Sequence, residues 1–131
     1  ALAMADRAQK EERDWLYMPM IDARRMEVYT AVFDQEMAPL RKPQPLIVSA
    51  DSLHEWLHQG HRISLSGNGS EKCRELLEQE GRVVLSSVVC SARHLISLGE
   101  SRYRAGQFED TAYYEPNYLK APNITVPKKI L

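Results

Sequence analysis

The stretch Leu16–Phe33, LYMPMIDARRMEVYTAVF, decides how the rest of the chain is read. Two runs rich in β-forming residues, Leu16 to Ile21 and Glu27 to Phe33, flank the polar break Asp22-Ala23-Arg24-Arg25-Met26, and that arrangement predicts an antiparallel hairpin. In the second run Val28, Thr30 and Val32 point to one face while Tyr29, Ala31 and Phe33 point to the other. Asp22, Arg24, Arg25 and Glu27 put four charges at the tip. A solvated hairpin tip is the ordinary reading of such a segment.

Working outward, strand and helix signals alternate. Arg41-Lys42-Pro43-Gln44-Pro45 reads as a connector, because proline removes ladder donors. Leu46 to Val48 follows as a short strand. A first helix is predicted from Asp51 to Gln59, with Ser52 and Glu55 at capping-box spacing, Leu53, Trp56 and Leu57 as its apolar face, and Gly60 to end it. A strand at Arg62 to Leu65 and the turn Ser66-Gly67-Asn68-Gly69 lead to a second helix, capped by Ser70, packed through Cys73, Leu76 and Leu77, and stopped at Gly81. After a strand at Arg82 to Leu85, Val88, Val89, Ala92, Leu95, Ile96 and Tyr103 recur at helical spacing up to Gly106 and predict a third helix. The opening ALAMADRAQKEERD reads as helix from its first residue, with opposite charges at Asp6/Lys10, Arg7/Glu11 and Lys10/Asp14. No N-cap precedes it, so residues 1–131 are expected to be a single domain that is the C-terminal part of a longer protein. The expected class is α/β: a mixed sheet bearing a β-hairpin and flanked by helices.

Composition bounds the function. The 131 residues are 44% apolar and 27% charged, which excludes disorder, and a chain of this length can bury its own core without staples. A net charge of -1 leaves no global field toward nucleic acid or a membrane. The longest uninterrupted apolar runs span only a few residues, far short of the ~20 that cross a bilayer. Cys73 and Cys90 form neither a metal cluster nor a disulfide framework and both read as core, so a reducing cytoplasm is expected.

Two local motifs bear on chemistry. His54-Glu55-Trp56-Leu57-His58 is a literal H-E-x-x-H, which on a helix aligns two imidazoles for zinc with the glutamate as general base, so a metallopeptidase using His54, Glu55 and His58 is one reading. The helix is short and no third ligand can be placed. Two surface histidines on an amphipathic helix fit the context better, and the chain is expected to hold no stoichiometric zinc. Ser66-Gly67-Asn68-Gly69-Ser70 could present backbone N–H groups to a phosphate, making Gly67, Asn68, Gly69 and Ser70 candidates for a nucleotide-binding regulatory domain. It lacks the lysine and spacing of a Walker loop, and a tight positive-φ connection explains the glycines equally simply.

Three stretches together carry a resemblance. The segment Asp22-Ala23-Arg24-Arg25-Met26-Glu27-Val28-Tyr29 resembles the D-A-R-x-x-E-V-Y stretch of the TsaB family, also called YeaZ. The strand and glycine turn through Ser66-Gly67-Asn68-Gly69 agree with it, and Glu115-Pro116-Asn117-Tyr118-Leu119-Lys120 resembles the family's P-x-Y-L-R ending with Lys in place of Arg. Order and spacing match the family's C-terminal lobe over essentially the whole chain.

The resemblance implies one lobe of the actin-like, sugar-kinase-like ATPase fold, with its ribonuclease-H-like motif, in a family that carries a glycoprotease-like, peptidase M22 label. It implies a non-catalytic scaffold or activator of TsaD in threonylcarbamoyladenosine modification of tRNA next to the anticodon, with TsaE as a further partner. Homodimerisation of the full-length protein, ATP or ADP in the complete complex, indirect contact with tRNA, no cofactor in the isolated lobe, no membrane and a cytoplasmic setting follow on the same basis. The family's N-terminal lobe, with its D-T-S opening and G-P-G-S-F-T-G loop, has no counterpart here. The partner-binding residues implied are Asp22, Arg24, Arg25, Glu27 and Tyr29, and no catalytic residue is implied. Tyr113, Tyr114, Tyr118 and Leu119 predict a tail that packs back around Pro116 to Leu119 while Lys128 to Leu131 fray.

Overall fold

A computed structural model describes residues 1–10, 14–78 and 81–120. The expected hairpin is formed by β1 (Trp15–Asp22) and β2 (Glu27–Phe33), antiparallel, with Met20 opposite Thr30 and Asp22 opposite Val28. β3 (Pro39–Ile47) extends the meander, and β4 (Arg62–Ser66) and β5 (Val83–Leu85) complete one sheet of order β3-β2-β1-β4-β5. β4 runs parallel to β1, and β5 runs parallel to β4. The sheet is therefore mixed, with the hairpin's first strand at its centre.

The supposed connector Arg41–Pro45 is part of β3, a correction with a clear cause. β3 is an edge strand, and an edge tolerates proline because one side of it has no ladder to feed. Pro45 stands opposite Tyr29 in the regular part of the ladder, and Pro39 opposite Phe33 beyond register shifts between Thr30 and Phe33.

Alternation sorts the two faces. On one, Leu16, Met18, Met20, Val28, Val32, Ile63, Leu65 and Val83 pack under Leu53, Trp56, Cys73 and Leu77. Each fully buried aliphatic side chain there contributes roughly 1.5–3 kcal/mol. The covering elements are α2 (His54–His58), a 3₁₀ turn at Glu71–Cys73, and α3 (Arg74–Leu77). On the other face Trp15 and Tyr17 pack with Ala3 of α1 (Leu2–Arg7), with Phe33, Met37 and Val84 around them.

Helix boundaries depart from the sequence reading. α1 ends at Arg7, and Asp6 is fully buried against the sheet instead of pairing with Lys10 at the surface. The expected Arg7/Glu11 pair falls outside the described residues, while Lys10 stands over the Trp15 ring and Asp14 pairs with Arg62. α2 is shorter than predicted, because the turn that precedes it starts at Ser49: the Ser52 hydroxyl accepts from the Ser49 backbone N–H at 2.9 Å, and Glu55 pairs with Arg41 at 2.5 Å. Gly60 ends the helix as expected, at φ +85. Ser70 makes no side-chain cap; its hydroxyl donates to the Gly67 carbonyl at 2.8 Å. Leu76 is exposed, so the second helix packs through Cys73 and Leu77 alone. The third helix begins later than predicted, as a 3₁₀ turn at Ala92–Leu95 followed by α4 (Ile96–Arg104). Val88 is buried in the preceding loop, whereas Val89, Leu95, Ile96 and Tyr103 are exposed, because among the described residues the apolar stripe of α4 is not covered by the core, Tyr103 meeting only the ring of Phe108.

Candidate functional site

The turn between β1 and β2 is built without glycine. Arg24 and Arg25 adopt φ of 70 and 50, in the left-handed region that usually selects Gly, Asn or Asp. Ala23 N–H donates to the Glu27 carbonyl and Glu27 N–H donates to the Arg24 carbonyl, both at 3.1 Å, so the backbone of the tip is fixed.

The glycine turn meets this hairpin. Gly69 N–H donates to the Met20 carbonyl at 3.0 Å, and Asp22 N–H donates to the Asn68 side-chain oxygen at 3.2 Å. A Cβ on Gly67 would lie 2.4 Å from the Met20 carbonyl oxygen, and one on Gly69 would lie 3.0 Å from Asp22 N. Close backbone approach at φ +92 therefore demands glycine at position 67. Gly67 N–H donates to the Val88 carbonyl at 2.8 Å, and Ser70 N–H donates to the Gly67 carbonyl at 3.2 Å. Three of the N–H groups proposed as a phosphate cradle are thus engaged inside the fold, and the turn works as a clamp on the central strand.

Side chains complete the junction. Lys72 donates to the Glu27 carbonyl at 2.6 Å and also to the Asp22 carboxylate, and the bond to Asp22 holds that carboxyl below its ordinary range. Lys120 donates to both Glu27 carboxylate oxygens, at 2.8 and 2.9 Å. Asp22, Arg24, Arg25 and Glu27 therefore gather at one end of the sheet with Gly67, Asn68, Gly69 and Ser70, two groups far apart in sequence. Tyr29 does not join them. It lies further along β2 from the tip, half-buried beside Ile21, Pro19, Phe33, Pro43 and Leu119 in an apolar groove of about 350 Å³. The sequence reading missed Lys72, which no motif marks; Lys120 had its signal in the tail motif.

The tail docks only in part. Tyr113, Tyr114 and Tyr118 are exposed, Leu119 lines the groove and Lys120 grips Glu27. Lys128 to Leu131 lie outside the described residues.

His54 and His58 sit on α2 with their Nε2 atoms 2.9 Å apart and rings edge to face. They share a shallow pocket with Leu57 and Arg82, whose guanidinium donates to the Leu57 carbonyl. Glu55 is turned to Arg41 and not to these imidazoles. Among the described residues no group of three or more His, Cys, Asp and Glu is placed to hold a metal. Cys73 is buried, its thiol pushed up by burial, but Cys90 is exposed, with its Sγ 3.6 Å from the Asn68 oxygen, which corrects its reading as core. His94 lies on the 3₁₀ turn at the surface.

Among the described residues no helix is long and apolar enough to cross a membrane. No protein-family model and no curated protein matches the sequence. The fold does have a counterpart: a Pseudomonas aeruginosa protein whose crystal structure is described as that of an uncharacterized protein with similarity to peptidase YeaZ. The likeness has a TM-score of 0.58 at 23% sequence identity, covering 91% of this chain and 56% of that one. This chain thus spans just over half the length of that structure. The mixed five-stranded sheet with flanking helices is an α/β fold shared with that Pseudomonas aeruginosa protein.

Proposed function

We propose that this chain is the C-terminal lobe of a TsaB-like protein and serves as a non-catalytic scaffold for a TsaD-like enzyme in threonylcarbamoyladenosine modification of tRNA, with a TsaE-like ATPase as further partner. The observation that carries the reading is the fold likeness over 91% of this chain to 56% of a protein described as similar to YeaZ. The hairpin stretch Asp22–Tyr29, the glycine turn and the Pro116–Lys120 segment support it from the sequence, and the first two meet in space. The setting is the cytoplasm, ATP or ADP belongs to the complete assembly, and tRNA is contacted through partners. The full-length protein pairs with itself or with the TsaD-like subunit through its other lobe.

A scaffold needs a rigid, distinctive surface more than a reactive group. The hairpin tip is such a surface, with its backbone pinned by two hydrogen bonds and its acids held by Lys72 and Lys120. The metallopeptidase reading draws no comparable support, since His54 and His58 bond to each other and Glu55 bonds elsewhere.

The test is genetic and chemical. This chain, joined to the N-terminal lobe of a YeaZ-like protein, should restore threonylcarbamoyladenosine to the tRNA of cells lacking TsaB, as read by nucleoside mass spectrometry, whereas the chain alone should not. Restoration by the lone chain, or none by the joined protein when it is folded and expressed, overturns the proposal.

A further inference from the structure

The cleft at the hairpin tip has a chemistry of its own. It encloses about 610 Å³ between Arg24, Arg25, Met26, Glu27, Ile47 and Lys120. Both acids of the tip are already satisfied, Asp22 by Lys72 and Glu27 by Lys120. Arg24 and Arg25 are exposed, and among the described residues no carboxylate pairs with either. Two uncompensated guanidinium groups therefore border one cleft in a chain whose net charge is -1.

Folding does not ask for arginine there. At φ of 70 and 50 an L-residue costs roughly 1–2 kcal/mol relative to glycine, so these positions hold arginine against the preference of the turn. A guanidinium presents a planar fork of donors that fits phosphate oxygens bidentately and stays charged at any physiological pH. Ile47, 74% exposed, and Met26 add an apolar wall suited to a flat organic moiety attached to the phosphate.

The geometry points to a phosphate-binding site in this cleft, with Arg24 and Arg25 gripping the phosphate, Lys120 cancelling the charge of Glu27 beside it, and Ile47 and Met26 contacting the group that bears it. The phosphate belongs to a nucleotide or to the phosphodiester backbone of an RNA strand. The site does not depend on the proposed scaffold role, and the two can fail separately: this one is read on the chain alone by binding, that one by modified nucleoside in cells.

The experiment is titration of the chain with ATP, with inorganic pyrophosphate and with a fluorescein-labelled single-stranded RNA of about 12 nucleotides, at low and moderate salt. The decisive variant is Arg24→Gly/Arg25→Gly, which removes both guanidinium groups while giving the turn its preferred residue, so it should fold at least as well as the parent. Affinity for the phosphate ligand should fall roughly tenfold or more for each arginine lost. For RNA, the dependence of log K on log salt should become shallower by about 1.4, two contacts at ~0.7 each. Binding of ATP and pyrophosphate assigns the site to free nucleotides, and binding of RNA alone assigns it to the phosphodiester backbone. No binding of any probe at low salt, or binding that the double glycine variant leaves unchanged, overturns the inference.

Discussion

Replacing Asp6 with asparagine should stabilise the protein, and the gain should grow with pH. Asp6, on the sheet-facing side of α1, is 0% exposed. Its Oδ1 accepts from the Ser64 hydroxyl at 3.0 Å, while its Oδ2 and the nearby Ser66 hydroxyl have no hydrogen-bond partner. Burial lifts the carboxyl above its ordinary range, opposed more weakly by the Ser86, Ser64 and Ser66 hydroxyls and the charge of Lys10. In the unfolded chain an aspartate titrates near ~3.9, so between that pH and the raised native value the folded state binds more protons. Stability is therefore greatest below the unfolded pKa and declines as pH rises through the native one. Asp6→Asn retains the acceptor for Ser64, supplies a donor for Ser66 and abolishes the charge. An unpartnered buried polar atom costs about 1–3 kcal/mol, so the variant should gain roughly that much at pH 8, a rise in Tm of about 3–10 °C. The assay is urea and thermal unfolding of both proteins from pH 4 to 8. Asp22 and Glu71, held below the ordinary range by Lys72 and Arg74, lose their contribution as pH falls, but they are common to both proteins and cancel in the difference. A variant less stable at pH 8, or a difference that does not grow with pH, refutes the reasoning.

Other predictions test the junction and the motifs. Gly67→Ala should destabilise by roughly 2–4 kcal/mol in urea unfolding, since its Cβ would collide with the Met20 carbonyl at a positive φ. Gly81→Ala, with open space around the site, should lose only the roughly 1–2 kcal/mol that its φ of +70 imposes. A thiol reagent should label Cys90 within minutes and Cys73 only on unfolding, because burial keeps the Cys73 thiol protonated and covered. Elemental analysis should find well under one zinc per chain, unchanged by His58→Ala, because the paired imidazoles of α2 share their pocket with the Arg82 guanidinium.

The hairpin was legible because strand alternation is local: a period of two residues and a polar tip suffice to place Val28, Thr30 and Val32 on one face. β3 was not, because prolines signal a broken ladder and only the sheet order shows that this strand lies at an edge. The third helix was read too early and too apolar, since spacing says which residues share a stripe but not whether anything covers it; Ile96 and Tyr103 remain 67% and 71% exposed. At the candidate site the charges and the glycines were each visible in sequence. Their meeting was not, because it depends on the parallel pairing of β1 with β4. Asp6 is the same lesson in reverse: in sequence it is one charge of a surface helix, and only the tertiary contact with Ser64 shows it buried.

The central place of β1 also sets an order of assembly. As the chain leaves the ribosome, β1, β2 and β3 can close as a local meander before β4 exists, leaving the Trp15–Pro19 edge of β1 without its ladder partner until Arg62–Ser66 arrives. That edge belongs to a long and largely apolar strand, so for this interval it is a template open to any extended chain nearby. The far side of the nascent meander is blunted by the prolines of β3, which makes exposure one-sided. Newly made chains should therefore be most prone to misassociation, and most in need of a chaperone, in the window between synthesis of β3 and docking of β4.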